Sequence, residues 1–212
     1  MYKLYNVKAW GSLAIHCMLE EMELSYTNIW MSPEQVRQPE FRAVSPLGMI
    51  PALGLADGRS LYESAAIVAF LVAAHPEKQM SPVLGSPAYG EFMSLLNFMS
   101  TELYALETIP YMAEVYAPGR EEVLRARVWE QLDSNWLVLE SRIAAAGPWL
   151  MGEDYSALDL YFFMLSIWAK PSEAEFHAKF PALSSLAGAV RQRPKLKAVL
   201  EAHGVLKAGD RA

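Results

Sequence analysis

The fold of the amino-terminal third is decided by the stretch Ser45-Pro-Leu-Gly-Met-Ile-Pro-Ala-Leu53, together with residues 54–67. Its first four residues have the composition of a turn, and the remainder predicts a strand that Pro51 interrupts. Asp57-Gly58 lies between apolar residues and predicts a two-residue hairpin. Leu61-Tyr-Glu-Ser-Ala-Ala-Ile67 comes next, and its Ser64 is a residue type that caps helices. This part of the chain therefore predicts two strands and then a helix.

The residues around this stretch predict further strands and helices. Tyr2–Val7 is short, aromatic and alternating, as is typical of a strand. Ser12 lies where an N-cap is expected, ahead of apolar residues at helical spacing, and Ser25–Met31 returns to strand character. The run Ala65–Ala74 is apolar on every side, which predicts a helix buried between other elements. The predicted order is βαβ, an irregular or helical link, then ββα, so the class is α/β.

Strand signals disappear after residue 79, and the rest of the chain predicts helices. A stretch rich in proline and glycine, residues 80–86, predicts a linker. Apolar residues then recur at helical spacing from Phe92 to Leu106 and from Val128 to Ile143, and another helix is predicted from Ser156. We therefore expect an α/β domain over residues 1–79 and an all-α domain over residues 87–212.

Composition and charge exclude several classes of function. The chain has 212 residues, 53% of them hydrophobic, and a formal charge of −6. We do not expect the chain to bind nucleic acid, because binding to phosphates depends on an excess of cationic side chains, which this chain lacks. The apolar run Ala65–Ala74 is about half of the ~20 residues that span a bilayer. The residues from Tyr2 onward do not resemble a signal peptide, so we expect a cytoplasmic protein that does not bind membranes.

Metal and thiolate chemistry are not predicted either. The four histidines are scattered and none is spaced as a metal ligand with Cys, Asp or Glu, so no metal is expected. The chain has no phosphate-binding glycine loop, dinucleotide fingerprint or serine-hydrolase elbow. Cys17 is the only cysteine, which excludes an intramolecular disulfide, and its place inside the first helix favours a buried structural role.

The candidates that remain are two helix starts, at Ser12 and at Ser64. A helix start presents backbone N–H groups and about half a positive charge, which favours a bound anion. The alternative is that both serines are N-caps that contribute only to stability.

Four stretches together resemble the glutathione S-transferase superfamily over nearly the whole chain, and bacterial beta-like members most. They are Lys3-Leu-Tyr5 with Gly11–Glu21, the Ser45–Leu53 loop, Leu61–Ile67 with its Glu-Ser pair, and Trp149–Leu160. The resemblance implies a thioredoxin-like first domain and an all-helical second domain. In the fourth stretch, Ser156 and Asp159 can form a capping box, which is a structural role.

The resemblance implies that the first domain binds glutathione as a co-substrate. Pro51 would be cis, and the Ile50 backbone would pair with the cysteinyl part of the ligand. Glu63 and Ser64 would hold the γ-glutamyl end, and Trp10 is a further predicted contact. The thiol would then lie near the start of the first helix.

The group that activates the thiol departs from the family patterns. Gly11 stands where beta-like members have their catalytic cysteine, and Tyr104 stands where they have a histidine. Asn6 and Ala9 stand where other classes have a catalytic tyrosine or serine. Ser12 is the nearest remaining donor, so we predict it as the catalytic residue, through its hydroxyl or its backbone N–H. The reserve candidates are Tyr5, Asn6 and Trp10.

A polar stripe on the first long helix of the second domain predicts the electrophile site. It comprises Asn97, Thr101, Tyr104 and Thr108, which share one helical face. The resemblance assigns Tyr104 and Asn97 to the pocket for a small apolar electrophile, whereas the alternative is a solvated face. It also implies a homodimer.

The leading hypothesis is a glutathione S-transferase that adds the glutathione thiolate to a small electrophile, in detoxification. One alternative is a glutathione-dependent disulfide or peroxide reductase. The other is a binding protein that keeps the fold without the chemistry.

Overall fold

The computed structural model describes residues 1–169 and 172–206, which form two units. The first unit contains Met1–Leu84 and the segment from Ala189 onward, and it is built on a four-stranded sheet of order β2-β1-β3-β4. Strand β1 is parallel to β2 and antiparallel to β3, which is antiparallel to β4. The strands are β1 Tyr2–Asn6, β2 Tyr26–Trp30, β3 Ala52–Gly54 and β4 Ser60–Tyr62. The predicted α/β, thioredoxin-like class is confirmed.

Local sequence explains the centre of the sheet. Leu4 of β1 faces Leu53 of β3 in register, and both are fully buried. The β3–β4 connection is longer than the predicted two-residue hairpin. Leu55 N donates to Arg59 O at 2.8 Å, and Gly58 N donates to Leu55 O at 3.2 Å, so a five-residue loop closes around the Asp-Gly pair.

Three helices accompany the sheet in the first unit before residue 84: α1 Ser12–Glu21, α2 Pro33–Val36 and α3 Ser64–Ala74. In α1 every residue from Ser12 to Leu19 is buried. The expectation that α3 is buried on every side is wrong. Ile67 and Leu71 are buried, whereas Ala66, Ala73 and Ala74 are exposed, because alanine exposes little apolar area and tolerates an outer face.

The second unit, Gly85–Gly188, is helical in its described residues. Helix α4 continues through a π-helical turn at Met99–Tyr104 into α5. The helices that begin in this unit are α4 Pro87–Phe98, α5 Ala105–Thr108, α6 Ala113–Tyr116, α7 Glu121–Ala146, α8 Ala157–Ser166, α9 Glu173–Lys179 and α10 Pro181–Arg191. No helix among the described residues is long and apolar enough to cross a membrane.

The carboxyl-terminal segment, which the sequence predicts as part of the 87–212 domain, makes its contacts with the first unit. Helix α11, Lys197–His203, belongs to the first unit with the rest of the segment from Ala189, and residues 207–212 lie outside the described range. Arg193 donates to both carboxylate oxygens of Glu21 on α1, at 2.7 and 2.6 Å. His203 lies 2.9 Å from His16, also on α1. These partners are more than 170 residues apart, so helical periodicity alone could not indicate these contacts.

Candidate functional site

The Ser12 hydroxyl is turned toward the protein interior. Its oxygen accepts a hydrogen bond from Val7 N at 3.1 Å and donates to Val7 O at 3.2 Å. The residue is fully buried. The hydroxyl therefore joins the end of β1 to the start of α1, and in this structure its proton is directed at a backbone carbonyl. The predicted role of this hydroxyl as a thiol donor does not match this arrangement.

The turn between β1 and α1 presents backbone and an indole ring instead. Gly11 occupies the N-cap position of α1 and contributes no side-chain cap. Trp10 before it is 39% exposed, and its backbone N donates to Val7 O at 3.2 Å. Ala9 has a φ of +56°, a left-handed conformation that is uncommon for a residue with a Cβ.

The start of α3, like that of α1, has no side-chain cap. Glu63 is exposed, occupies the N-cap position with φ +67° and ψ +112°, and makes no side-chain cap hydrogen bond. Ser64, the first helical residue, is 5% exposed. The carboxylate of Glu63 thus lies next to the positive end of an 11-residue helix.

Backbone conformation singles out these two helix starts. Four non-glycine residues in the described ranges have positive φ. Gln79 caps the end of a 3₁₀ turn and Glu23 follows the C-cap of α1, which are ordinary places for such a conformation. Ala9 and Glu63 instead precede helices, at the two positions that the sequence predicted as anion sites. Unusual backbone of this kind concentrates at functional sites.

The loop before β3 has the geometry that the resemblance implied. The Ile50–Pro51 peptide bond is cis. The Ile50 side chain is 5% exposed and belongs to a small core with Val7 and Phe41. Strand β3 begins after Pro51, at Ala52. A second cis bond, Gly147–Pro148, was not predicted.

Asn6 and Tyr5, two of the reserve candidates for activating the thiol, are buried to different extents. Asn6 is fully buried, and its Nδ2 donates to Asn28 Oδ1 at 2.9 Å. Tyr5 is half-buried, with its ring 5.6 Å from that of Phe41. Trp10 is therefore the most exposed of the three.

A buried histidine pair beside this turn was not predicted. His16 and His203 are 5% and 4% exposed, and His16 Nδ1 lies 2.9 Å from His203 Nε2. Burial lowers the pKa of His16 to about 4, against an opposing effect of Glu20. Burial, with the positive field of His16 and Lys8, lowers the pKa of His203 to about 3. In the sequence these residues are 187 positions apart, so no local signal could have paired them.

In the helical unit, Tyr104 and Asn97 have different surroundings. Tyr104 lies in the π-helical turn, half-buried, with its ring 5.1 Å from that of Trp168 and 6.4 Å from that of Tyr161. Asn97 is exposed, and its Nδ2 donates to Met93 O at 2.7 Å. Only Tyr104 of this predicted pair lies among aromatic rings.

The helical unit also contains a cleft that sequence reasoning missed. It has a volume of about 320 Å³ and is lined mainly by aromatic and acidic side chains. Its acids are partly compensated, since Glu114 pairs with Arg125 and Asp133 lies 2.5 Å from Lys179. The lining residues are Glu107, Pro110, Tyr111, Glu114, Arg125, Trp129, Leu132, Asp133, Trp136 and Trp168.

The predicted capping box at the start of α8 is confirmed. Ser156 N donates to Asp159 Oδ2 at 2.7 Å, and Leu158 N donates to Ser156 Oγ at 3.3 Å. Asp159 also accepts from Leu150 N at 2.9 Å, and burial raises its pKa to about 6 against these hydrogen bonds. The arrangement is structural.

The surroundings of Cys17 and the placement of the His, Cys, Asp and Glu side chains were also predicted from the sequence. Cys17 is fully buried, and burial raises the pKa of its thiol far above the ordinary value. Within residues 1–169 and 172–206, no group of three or more His, Cys, Asp or Glu is placed to hold a metal ion.

Comparison with known proteins gives matches in both halves of the chain. The family models for the glutathione S-transferase N-terminal domain and C-terminal domain match residues 12–74 and 108–203. The chain is 28% identical over 209 residues to the uncharacterized GST-like protein YncG of Escherichia coli (strain K12), covering 97% of this chain and 100% of that protein. It is 25% identical over 206 residues to glutathione S-transferase GstA of Escherichia coli O157:H7, covering 96% and 99%.

A solved structure extends these matches to three dimensions. A glutathione transferase homologue from Sulfitobacter, with bound glutathione, superimposes with a TM-score of 0.86 and 25% identity, over 97% of this chain and 99% of that one.

Proposed function

Since the chain belongs to the glutathione S-transferase superfamily, we propose that it binds glutathione and transfers its thiolate to a small electrophile. The observation that carries the proposal is the start of α3. There an exposed carboxylate, Glu63, precedes a helix whose first turn receives no cap from it, and Ser64 supplies a hydroxyl at the same point. This combination suits the carboxylate and ammonium of a γ-glutamyl group, one on the helix start and the other on Glu63.

The remainder of glutathione is proposed to lie along the Ile50–Pro51 loop. Ile50 precedes β3 and has no strand partner among the described pairings, so its backbone N–H and C=O can pair with an extended peptide. The known structure with bound glutathione and the match to GstA support glutathione as the ligand of this fold.

Activation of the thiol is assigned to the positive end of α1. An ordinary thiol has a pKa of ~8.5, and lowering it by two units requires ~2.7 kcal/mol. Helix starts contribute up to ~2 kcal/mol, and a hydrogen bond to a charged group contributes ~1.5–3 kcal/mol. The turn at Trp10 and Gly11 leads into α1. Because no side chain caps α1, the positive field of its first turn is not offset by a capping group. The Ser12 hydroxyl builds the turn from inside.

The electrophile is proposed to contact Tyr104, with Asn97 as a polar neighbour. The Tyr104 and Trp168 rings offer an apolar, polarizable surface for a small aromatic acceptor. A homodimeric, cytoplasmic enzyme of detoxification completes the proposal, and sedimentation of the purified protein tests the dimer.

Calorimetric titration with glutathione tests the binding site. We expect wild-type protein to bind and Glu63→Gln to bind about tenfold more weakly, the loss of ~1.4 kcal/mol expected for one charge-assisted bond. Glu77→Gln, an exposed glutamate of the same unit, is the matched control and should bind as wild type. Absence of heat with wild type would contradict the proposal.

Turnover measurements then define the reaction. A chloronitroaromatic acceptor reports conjugation, and a glutathionyl disulfide reports reduction. Turnover of the disulfide alone would replace the transferase by a reductase.

A further inference from the structure

A single line of hydrogen bonds runs from the turn before α1 to the surface of the first unit. Ala9 N donates to His203 Nδ1 at 3.0 Å, and His203 Nε2 lies 2.9 Å from His16 Nδ1. His16 Nε2 lies 2.8 Å from the Tyr26 hydroxyl, which donates to Glu20. All of these residues belong to the same unit.

The first donor fixes the direction of every bond in this line. A backbone N–H can only donate, so His203 Nδ1 must be the unprotonated acceptor and its proton must lie on Nε2. That proton points to His16 Nδ1, which places the proton of His16 on Nε2 and directs it to the oxygen of Tyr26. Both imidazoles are then neutral, and His16 Nδ1 is an acceptor that the Asn6 amide nitrogen also approaches, at 3.1 Å.

The groups around the pair are consistent with neutral rings. His203 faces His16, the Asn6 amide at 3.5 Å and the Trp30 ring at 5.0 Å, with the Lys8 charge nearby. His16 faces the Asn6 amide at 3.1 Å, the Trp30 ring at 5.9 Å, Tyr26 and the Glu20 charge. Protonating His203 on Nδ1 would remove the acceptor of the Ala9 N–H.

Ala9, whose N–H bonds His203, has a backbone conformation that other contacts must stabilise. Ala9 adopts φ +56°, which costs about 1 kcal/mol or more for a residue with a Cβ. On the other side of the turn, Ser12 bonds Val7 through both its donor and its acceptor. His203 thus holds the outer end of the turn, and Ser12 holds the inner end.

We propose that His203 is a positioning residue, which through the Ala9 N–H holds the Val7–Ser12 turn where the positive end of α1 can stabilise the glutathione thiolate. The inference rests on the proposed function. It ties the carboxyl-terminal helix to the reaction, although His203 does not itself contact the reacting atoms.

Two substitutions of His203 separate the two ends of its ring. In His203→Asn, the amide oxygen can take the place of Nδ1 and keep the Ala9 bond while the His16 bond is lost. In His203→Gln, the terminal amide reaches toward Nε2 and can keep the His16 bond while the Ala9 bond is lost. Each variant loses one buried hydrogen bond, so a purely structural role predicts similar effects for both.

The experiment measures amide hydrogen exchange at Ala9 and the pKa of the bound glutathione thiol, by thiolate absorbance. Exchange at Met31, whose N donates to Asn6 O at 2.8 Å, corrects for overall stability. We expect corrected Ala9 exchange to be about tenfold faster in His203→Gln than in His203→Asn, as one lost hydrogen bond predicts. The thiol pKa should rise in the Gln variant and stay near wild type in the Asn variant.

Equal corrected exchange in the two variants, including an equal loss in both, would overturn the positioning role. Faster Ala9 exchange in the Gln variant with the same thiol pKa in both would also overturn it. If the wild-type protein binds no glutathione, the proposed function fails, and so does the role of His203 in stabilising the glutathione thiolate. The exchange data then still decide separately whether His203 holds the turn.

Discussion

Helix α8 begins with a capping box whose partners lie three residues apart. Helix α1 has Gly11 at its N-cap, and Ala9 in the turn before it bonds a partner 194 positions away. At α8, Asp159 accepts a hydrogen bond from the N–H of the N-cap residue Ser156, and the Ser156 hydroxyl accepts one from Leu158 N in the first turn. At α1 no N-cap side chain does so, and the turn before it is held from outside by His203.

This difference separates a helix end that its own side chains cap from the helix end that we propose as part of the glutathione site. A capped end already has its N–H groups and its positive field satisfied by its own side chains. An uncapped end keeps that field, but its turn must be held by other contacts. In this protein those contacts come from the Ser12 hydroxyl and from α11, and they leave Trp10 exposed.

Removing the carboxylate of the capped end should have the largest effect. In Asp159→Ala the backbone N–H groups of Ser156 and Leu150 lose a buried acceptor. At ~1–3 kcal/mol for each unpaired group, we expect a loss of about 3 kcal/mol, measured by urea unfolding. Asp154→Ala, at an exposed aspartate nearby, is the control and should change stability little. An equal loss of unfolding free energy in the control would contradict the role of Asp159 as the stabilising acceptor at this helix end.

Lowering the pH should reduce the stability that the His16–His203 pair contributes and increase the stability that Asp159 contributes. The folded-state pKa values of His16 and His203, about 4 and about 3, lie below the ordinary 6.5, so the unfolded chain binds more protons and stability falls as pH falls from 6.5 toward 4. Asp159, with a folded pKa of about 6 against an ordinary 3.8, gains stability as pH falls through its window.

Two histidines act against one carboxyl, so near pH 5 the net effect is that the free energy of unfolding falls as the pH falls. Unfolding free energies measured at several pH values in wild type and His203→Asn test this balance. The variant should have a shallower slope of unfolding free energy against pH, and an unchanged slope would exclude His203 as the source.

Ser12→Ala tests what holds the uncapped end from inside. The buried Val7 N–H loses its acceptor, so we expect a stability loss of about 2 kcal/mol by urea unfolding. The thiol pKa of bound glutathione should stay close to wild type, because the hydroxyl faces Val7. A large rise in that pKa without a stability loss would instead restore Ser12 as the direct donor.

Ser156→Ala is the matched serine at the capped end and should have the smallest effect. Loss of an N-cap side chain costs ~1 kcal/mol. Glutathione affinity and thiol pKa should equal those of wild type, by calorimetry and thiolate absorbance. A change in either ligand property would show that the two helix ends are not independent.

The elements of the fold were predictable where their signals are local. The α3 helix begins at Ser64 and ends at Ala74, as its apolar run indicates, although Glu63 and not the predicted Ser64 occupies the N-cap position. The capping box of α8 needs only residues 156–159. The resemblance located the Ile50–Pro51 loop and the Glu63–Ser64 step, because each is a continuous motif.

The orientation of the candidate residues was not predictable in the same way. A serine before a helix is equally compatible with a cap, a ligand donor or, as at Ser12, a bridge to the preceding strand. The burial of Asn6 likewise depends on neighbours contributed by α1, β2 and α11.

From its residues alone, this chain specifies where helices and strands begin and end and which short motifs it carries, because those properties depend on neighbours within about four positions. Packing decided the rest. The return of α11 to the first unit, the inward Ser12 hydroxyl and the pairing of His203 with His16 and Ala9 join positions up to 194 apart. Such contacts exist only after the intervening chain has folded, so no local pattern records them.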